Sequence, residues 1–336
     1  MLHRLQIQKI IEEAPGTKSF VLGGADISYT PGQFLTFVFR KNNGAEDRRS
    51  YSISSAPVMN EPLQVTVKRV ANGAYSRWFI DEAREGDIVY TTGASGFFVL
   101  PETIQEYDAV VFFAAGSGIT PVFSLIKTLL ASHPAVRVHL VYSTVSPHTT
   151  IFYRLLEDLL GKYPQRLIVD YLFSGQHQSR KRLNVARITE MAGRYKQHAL
   201  FFLCGPLEYM RTITIVLKTE GVPEQHIRRE IFHIEKPPVK ELPPDALPHM
   251  VEVSMKEQLF RFEVQYPATI LQTAKSLGIP LPYSCEAGQC GTCSATCVSG
   301  KVWMWHNDVL LQDEINNGRV LTCTGYPVGG DVQLRI

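Results

Sequence analysis

Short runs of alternating apolar and polar residues fill the first hundred residues of the chain. Residues 34–39 and 63–69 alternate with the two-residue period of a strand that buries one face. Pro31-Gly32, Asn42-Asn43-Gly44 and Asn72-Gly73, all turn-forming sequences, separate such runs. This pattern predicts a small antiparallel barrel at residues 1–102.

The pattern changes after residue 108. Residues 109–115 are apolar throughout, and Gly116 opens a helical pattern that continues to residue 130. Further apolar strands are predicted at 138–142, 167–173 and 200–204, with helical segments near 151–160 and 210–217. Continuous apolar strands that alternate with helices predict a parallel sheet covered on both faces. We assign this α/β domain to residues 103–234.

A proline-rich stretch, residues 235–249, follows the α/β domain. It holds five prolines, at 237, 238, 243, 244 and 248, with charged residues between them, which is typical of a semi-rigid linker. Residues 251–253 and 260–264 then predict a hairpin, and 269–277 a short helix. The sequence therefore predicts a third domain, with both helix and sheet, at residues 250–336.

Composition excludes several classes of protein. The 336 residues are 45% hydrophobic and 20% charged, as in globular proteins, and the net charge of +2 favours neither a nucleic acid nor a membrane surface as partner. The first residues predict a strand and not a signal peptide, and we find no apolar stretch of transmembrane length. We expect a cytoplasmic protein, with no membrane insertion and no nucleic-acid partner.

Four cysteines carry the most specific chemical signal. Cys285, Cys290 and Cys293 have the spacing C-x4-C-x2-C, and Cys323 follows thirty residues later. This spacing matches the known ligand signature of a plant-type [2Fe-2S] cluster. A zinc site usually pairs two short hooks of the C-x2-C type, and six cysteines in a chain of this length do not suggest disulfides. Cys297 also suggests a four-iron motif, but that motif needs a cysteine at 287, where the chain has Ala.

Two motifs in the barrel could bind a nucleotide. On a strand, Arg49 and Tyr51 project to one face, so that a guanidinium and a phenol can meet the same ligand. Arginine suits a pyrophosphate, and tyrosine offers a flat face to a ring. Downstream, Gly73-Ala74-Tyr75-Ser76 leads into a predicted helix at 77–84, with Ser76 as N-cap, whose first amides attract phosphate. An ordinary edge strand and a plain surface helix would explain either motif taken alone.

The α/β domain has a glycine-rich turn directly after its first strand, Gly116-Ser117-Gly118-Ile119-Thr120-Pro121. Glycines allow a close approach of backbone to ligand, and proline fits the first turn of a helix that faces a pyrophosphate. The dinucleotide fingerprint G-x-G-x-x-G is absent, because Pro121 replaces the third glycine. Cys204-Gly205-Pro206 ends another strand at the same edge of the sheet. Cys204 could face a nicotinamide or simply seal the end of the strand.

Taken in order, these motifs resemble the ferredoxin-NADP reductase superfamily with an appended plant-type ferredoxin domain. That domain order resembles the reductase components of bacterial oxygenases, especially of the phenylacetyl-CoA epoxygenase type. The resemblance implies a multidomain fold: an antiparallel β-barrel flavin domain, an α/β parallel-sheet nucleotide domain and an α+β (β-grasp) ferredoxin domain. It also implies FAD, preferred here over FMN, a [2Fe-2S] cluster, and NADPH or NADH as substrate.

The family's residue roles carry over to the matching motifs. Arg49 would bind the flavin phosphates, Tyr51 would stack on the isoalloxazine, and Ser52 would hydrogen-bond near its N5; Tyr51 and Ser52 are thus the catalytic candidates. The remaining cofactor-binding candidates fall into three groups: Gly73 and Ser76 for the flavin pyrophosphate; Gly116, Ser117, Gly118, Thr120, Pro121, Cys204 and Gly205 for the nicotinamide nucleotide; and Phe232 for the second face of the flavin. Phe232 could equally be a core residue.

These parts predict an NAD(P)H-dependent oxidoreductase that passes electrons to a partner protein, an oxygenase component. A hydride brings two electrons while the cluster accepts one, so a flavin is needed between them. The hydroxyl-bearing residues after Tyr142 and the run Arg180-Lys181-Arg182 favour NADPH slightly. The alternative function is a redox-sensing or partner-binding flavoprotein with vestigial hydride transfer. The sequence leaves the oligomeric state open.

Overall fold

The computed structural model describes residues 2–41, 43–175, 182–195, 198–232 and 241–336. They form two compact units, Met1–Phe232 and His233–Ile336. The predicted boundary at 102/103 falls in the connection between the two sheets of the first unit. The predicted linker 235–249 lies partly outside the described residues, and His249 already begins a strand. The exact domain boundaries stay predictions.

The first sheet of the first unit is six-stranded and antiparallel. Its strands are β1 (His3–Ala14), β2 (Thr17–Gly23), β3 (Phe34–Arg40), β4 (Glu46–Ser52), β5 (Gln64–Lys68) and β6 (Ile88–Ser95), in the spatial order β4-β3-β6-β1-β2-β5. An isolated bridge between Ile53 and Val65 connects the two outer strands and closes a barrel. Leu5, Phe20 and Phe37 are completely buried in the barrel core. The one-face pattern predicted for residues 34–39 was wrong, because residues 34–38 of β3 are all buried.

A helical segment packs onto the barrel core. Helix α1 (Ala74–Arg77) continues into a π-helical turn, Trp78–Glu82. Phe79 of this turn is fully buried, with its ring 5.0 Å from that of Phe20 and 5.4 Å from that of Phe37. Burying such a side chain contributes roughly 1.5–3 kcal/mol, which holds the segment against the barrel.

The second sheet of the first unit is parallel and five-stranded. Its strands are β7 (Ala109–Ala115), β8 (Arg137–Thr144), β9 (Leu167–Phe173), β10 (Ala199–Cys204) and β11 (Ile227–Glu230), in the order β11-β10-β7-β8-β9. The strand order reverses between β7 and β10. In open α/β sheets, ligands bind beyond the carboxyl ends of strands at such a switch point.

Helices cover both faces of this sheet. One face packs against α2 (Ile119–Ser132) and α3 (Tyr153–Lys162), and the other against α4 (Val185–Tyr195) and α5 (Leu207–Thr219). Alternate residues of β7 serve the two cores, with Phe112 on the α2 face and Phe113 on the α4 face. Burial on both faces explains why β7 is apolar throughout.

The second unit has a mixed sheet of five strands and a short two-stranded sheet. The strands are β12 (His249–Met255), β13 (Gln258–Val264), β14 (Ser294–Ser299), β15 (Val302–Met304), β16 (Arg319–Leu321), β17 (Gly325–Pro327) and β18 (Val332–Arg335). Thr269 is the N-cap of helix α6 (Ile270–Ser276), and its hydroxyl accepts a hydrogen bond from the Gln272 amide. Helix α7 (Gln312–Asn316) precedes β16. The predicted three-part fold class is confirmed.

Within the described residues, no helix has the length and apolar character needed to cross a membrane.

Candidate functional site

The barrel motif lies on β4, and the two-residue period places Arg49 and Tyr51 on one face. Arg49 is exposed, and its guanidinium lies 5.2 Å from the ring centroid of Tyr75. The Tyr51 ring lies 5.3 Å from that of Phe79, in an edge contact. Burial raises the pKa of Tyr51 far above its usual range, so the phenol stays neutral.

The second barrel motif differs from the sequence prediction in one respect. The helix begins at Ala74, and Gly73 is its N-cap, whereas Ser76 lies inside the helix. The Ser76 hydroxyl donates to the Gly73 carbonyl at 3.2 Å and accepts from the Val70 amide at 3.2 Å. A Cβ on Gly73 would lie 2.4 Å from the Ser76 Oγ, so the turn requires glycine there.

Tyr75 joins the two barrel motifs. Its ring stacks on Phe39 at 4.0 Å, its hydroxyl donates to Asp47 at 2.7 Å, and its face meets the Arg49 guanidinium. Tyr75 was not among the predicted site residues, although it stands within the motif Gly73-Ala74-Tyr75-Ser76. The exposed guanidinium, the tyrosine faces and the start of α1 thus form one continuous surface of the barrel.

A buried contact connects the barrel to the parallel sheet. The Ser52 hydroxyl, at the end of β4, donates to Glu230 Oε1 at 3.2 Å. Glu230 ends β11, beside Cys204 in the register of β10. Burial raises the pKa of Glu230 to about 8, although the Ser52 hydrogen bond opposes this. Glu230 is therefore protonated at neutral pH.

Glu230 was not among the predicted site residues, and its partner Ser52 is 178 residues away along the chain. The one sequence feature that could have indicated Glu230 is its acidic side chain in β11, a short strand whose other residues are buried or partly buried. Cys204 is completely buried. Burial raises the pKa of its thiol, and the nearby Glu230 carboxyl raises it further. Cys204 is the last residue of β10, and its contact with a nicotinamide stays a prediction.

The glycine-rich turn lies at the switch point of the sheet. Gly116–Gly118 forms one 3-10 turn, with Gly116 at φ +54°, and α2 begins directly after it. The Tyr142 hydroxyl donates to the Gly116 carbonyl at 3.0 Å. A Cβ on Gly118 would lie 2.0 Å from the Cys204 carbonyl oxygen, and one on Gly205 would lie 2.9 Å from the Ala115 Cβ. The two predicted nucleotide motifs therefore touch, as their positions in the sequence predicted.

A pocket of about 520 Å³ opens beside this turn. Its described lining residues include two cations, Lys68 and Arg182, and no carboxylate. Hydroxyl-bearing residues make up much of the rest: Thr17, Ser143, Thr144, Thr149, Ser174 and Tyr209. Of the predicted basic run, Arg180 and Lys181 lie outside the described residues. The pocket suits an anionic ligand.

The four predicted cluster cysteines of the second unit, Cys285, Cys290, Cys293 and Cys323, are free thiols that lie in two pairs. Cys293 Sγ and Cys323 Sγ are 3.1 Å apart. Cys285 and Cys290 form the other pair: the hydrogen bond from Cys290, together with the backbone amides of 287, 289 and 290, lowers the pKa of Cys285 to about 6. The same hydrogen bond, with burial, raises the pKa of Cys290. Among the described residues, no group of three or more His, Cys, Asp or Glu side chains could hold a single metal ion.

The cysteine loop depends on glycine. Gly288 and Gly291 both have φ +74°, and a Cβ on Gly288 would lie 2.7 Å from the His306 carbonyl oxygen. This tight path turns backbone amides toward the sulfurs, as the 3.4 Å contact from the Ala287 amide to Cys285 Sγ shows.

Comparison with known proteins agrees with this geometry. Three family models match: an oxidoreductase FAD-binding domain at residues 5–100, an oxidoreductase NAD-binding domain at 112–214 and a 2Fe-2S iron-sulfur cluster binding domain at 254–328. The ferredoxin reductase component of 3-ketosteroid-9-alpha-monooxygenase from Rhodococcus rhodochrous is 32% identical over 96% of this chain and 94% of its own. The chain belongs to the oxygenase reductase family.

Other oxygenase reductases support the assignment. A 1,2-phenylacetyl-CoA epoxidase component from Escherichia coli K12 is 30% identical over 90% of this chain and 87% of its own. Phthalate dioxygenase reductase, a modular structure for electron transfer from pyridine nucleotides to [2Fe-2S], has a TM-score of 0.62 at 24% identity, covering 100% of this chain and 98% of its own, and shares the fold.

The protein is thus an oxidoreductase of this family that uses FAD, a [2Fe-2S] cluster and NAD(P)H, as the sequence predicted. The residues present fit those groups. Four thiols in two pairs, with amides aimed at sulfur, suit a cluster whose two irons each need two thiolates. The exposed Arg49 beside Tyr51, Tyr75 and the α1 start suits a flavin nucleotide.

The individual roles of the predicted site residues stay predictions. Phe232 is 46% exposed and is the last described residue of the first unit, two positions beyond Glu230. Ser117 accepts the Thr120 hydroxyl on its carbonyl at 3.0 Å, which stabilises the turn, and Pro121 is buried in the first turn of α2. Cys297 lies on β14, with its thiol against the Ser299 carbonyl, apart from the two pairs.

Proposed function

We propose that the protein oxidises NADPH and passes the electrons, through FAD and the [2Fe-2S] cluster, to a separate oxygenase component. Relatives along the whole chain are named as reductase components or subunits of monooxygenases that act on ketosteroids and on glycine betaine. Those names give the class of the partner and leave its own substrate open.

One observation carries the proposal: the buried contact between Ser52 and Glu230. It joins the strand of the flavin motif to the carboxyl edge of the nucleotide sheet, where the glycine turn also lies. A bound flavin supplies a carrier that takes up electrons in pairs and gives them up singly. The chain's own contribution is to orient that carrier and to keep water and charge away from it.

Each residue of the site then has a specific task. Arg49 holds the flavin phosphates through its planar guanidinium, and Tyr51, neutral and half-buried, offers its ring to the isoalloxazine. Ser52 is a hydrogen-bond partner for the flavin ring, and the protonated Glu230 behind it places no negative charge on the path of a hydride. Phe232 covers the second face of the ring.

The pocket chemistry favours NADPH over NADH. A 2'-phosphate needs cations and hydroxyls, whereas a ribose diol usually meets a carboxylate. Among the described lining residues, Arg182 supplies a cation and Ser174 a hydroxyl for a 2'-phosphate. Replacing Arg182 with Gln should lower kcat/KM for NADPH about tenfold and leave that for NADH unchanged. The exposed Arg194 lies outside the lining, and Arg194→Gln is the matched control. Equal losses for both coenzymes would contradict the preference.

We also propose that the protein works in the cytoplasm as a redox partner. All six cysteines are free thiols, and four of them lie in two close pairs that suit a cluster. Thiolate-ligated clusters persist best in a reducing compartment.

Anaerobic mixing with NADPH tests the function. Flavin and cluster absorbance should bleach in sequence, and adding a purified di-iron or Rieske oxygenase component should restore both without oxygen. A redox sensor with vestigial hydride transfer would keep both chromophores unbleached. Bleaching without reoxidation by either class of oxygenase would contradict the assigned partner.

A further inference from the structure

Helix α2 carries two polar side chains across to the barrel. Ser124 Oγ donates to the Ser55 carbonyl at 2.6 Å, and Lys127 Nζ bonds the Glu61 carboxylate. Ser124 and Lys127 are three positions apart, so both lie on one face of the helix. We call this set of contacts the Lys127 junction, comprising Ser55, Ala56, Glu61, Ser124 and Lys127.

The barrel side of the Lys127 junction is rigid. Glu61 Oε2 also accepts the Ala56 amide at 2.8 Å. The Ser55 hydroxyl bonds the Tyr29 hydroxyl at 2.7 Å and accepts the Gln64 amide at 3.0 Å. The backbone from 53 to 56 is buried. A movement of Lys127 would therefore be passed to the chain directly after β4.

The Lys127 junction is close along the chain to both the flavin strand and the nucleotide turn. Ser55 is three residues from Ser52, the last residue of the flavin strand, and α2 starts at the nucleotide turn Gly116–Gly118. The connection thus consists of one extended segment and one helix. The junction therefore relates the flavin strand to the nucleotide turn through short stretches of chain.

Apolar side chains do not fill the space between helix α2 and the barrel beside the Lys127 junction. A cleft of about 1000 Å³ opens beside the junction, lined among others by Glu13, Glu61, Phe123, Lys127 and Phe152. Lys127 itself is 4% exposed, with its ammonium 4.5 Å above the Phe123 ring. Burial lowers the pKa of Lys127, and Glu61 and Glu13 oppose that shift. Polar contacts, and not close packing alone, therefore fix the spacing here.

We propose that Lys127 is a positioning residue for hydride transfer: through Glu61 and the Ala56 amide it fixes the flavin strand relative to the nucleotide turn. The inference rests on the proposed NADPH oxidation. Hydride transfer needs close and aligned reacting atoms, and a misplacement of about 1 Å can cost up to a hundredfold in rate.

Three variants separate positioning from stability: Lys127→Met, Glu61→Gln and the double variant. Each single change leaves a polar group poorly paired and should lower Tm. The double variant has no buried unpaired charge, so it should regain much of the lost Tm. The ion pair between Lys127 and Glu61 is lost in all three. Flavin reduction at saturating NADPH, followed by stopped flow per bound flavin, should therefore stay about tenfold slow even in the double variant.

A second measurement does not depend on turnover. Amide hydrogen exchange at residues 53–61 should be faster in Lys127→Met and in the double variant, with β1–β3 unchanged. Arg187→Met is the matched control: it breaks a 2.9 Å ion pair with Asp170 inside the nucleotide domain. It should lower Tm and leave both flavin reduction and exchange at 53–61 as in the parent.

Recovery of the flavin-reduction rate together with Tm in the double variant would overturn the positioning role, as would unchanged exchange at 53–61. A parent protein that NADPH does not bleach would instead refute the proposed function, and exchange at 53–61 would still test the junction.

Discussion

Glu230 is a carboxyl group whose ionisation the fold shifts strongly. It lies at a strand end, is almost wholly buried, and has the Ser52 hydroxyl as its hydrogen-bond donor. The unfolded chain ionises this group near pH 4.5, but the folded chain does so only near pH 8. The unfolded state therefore loses its proton first, and folding stability falls as the pH rises between these two values.

Glu230→Gln should abolish that pH dependence, because glutamine keeps the acceptor for Ser52 and cannot ionise. At about 1.4 kcal/mol for each unit of pKa shift, the variant should gain on the order of a few kcal/mol over the parent above pH 8 and nothing below pH 4.5. Thermal unfolding across about pH 4–9 measures this. Parallel curves for parent and variant would show that Glu230 ionises normally.

The cysteines give a second prediction at the residue scale. Cys323→Ser removes one thiolate from the Cys293 pair and should lower bound iron and acid-labile sulfide to near zero, with flavin content unchanged. Cys297→Ser is the matched control, because its thiol contacts the Ser299 carbonyl on β14, and it should keep a full cluster. Loss of the cluster in both variants would reassign the ligand set.

At the scale of elements, the contact between the glycine turn and the end of β10 decides the shape of the nucleotide site. Gly118→Ala would bring a Cβ to 2.0 Å from the Cys204 carbonyl oxygen, so the turn must move away from β10. We expect the Kd for NADP⁺ to rise about tenfold or more, because closely approached backbone binds the phosphates.

Gly193→Ala is the control for that substitution. Gly193 lies in α4 with open space around its Cβ position, and alanine there should stabilise the protein by about 0.5–1 kcal/mol without changing the Kd. Isothermal titration of both variants with NADP⁺ makes the comparison. An unchanged Kd for Gly118→Ala would place the nucleotide elsewhere.

Elements with a strong local pattern were predictable from the sequence. The apolar run of β7, the strand at Leu167–Phe173 and the capped helix α6 all appear close to where periodicity and capping put them. The start of α1 was wrong, because Ser76 uses its hydroxyl on Gly73 and Val70 inside the helix. Helix α4 was not predicted, although Ile188, Met191, Ala192 and Tyr195 follow the i, i+3, i+4, i+7 spacing of one buried helix face.

Some residues of the candidate site were likewise predictable from the sequence, and others were not. The cluster cysteines share a loop, so their spacing is visible in the sequence, and Cys323 completes a known signature. Glu230 and Lys127 matter through partners 178 and 66 residues away, and neither has a local motif. Burial and pairing with a distant strand determine such residues, and only the folded chain shows them.

For the whole molecule, the number of electrons it stores is a direct test of its composition. A flavin takes two electrons and the cluster one, so full anaerobic reduction should consume about 1.5 equivalents of NADPH per chain. Titration followed by absorbance measures this, with iron and flavin assayed on the same sample. An end point at one equivalent would mean that the cluster does not receive electrons.

The division of the chain at Phe232 has a consequence for engineering and for ancestry. Each unit encloses its own core, so a crossover in the stretch between them should yield folded chimaeras. Exchanging the C-terminal unit for that of a relative should keep NAD(P)H as the reductant and change the recipient of the electrons. New oxygenase pairings could then arise by recombination at one point, without any redesign of the part that handles hydride.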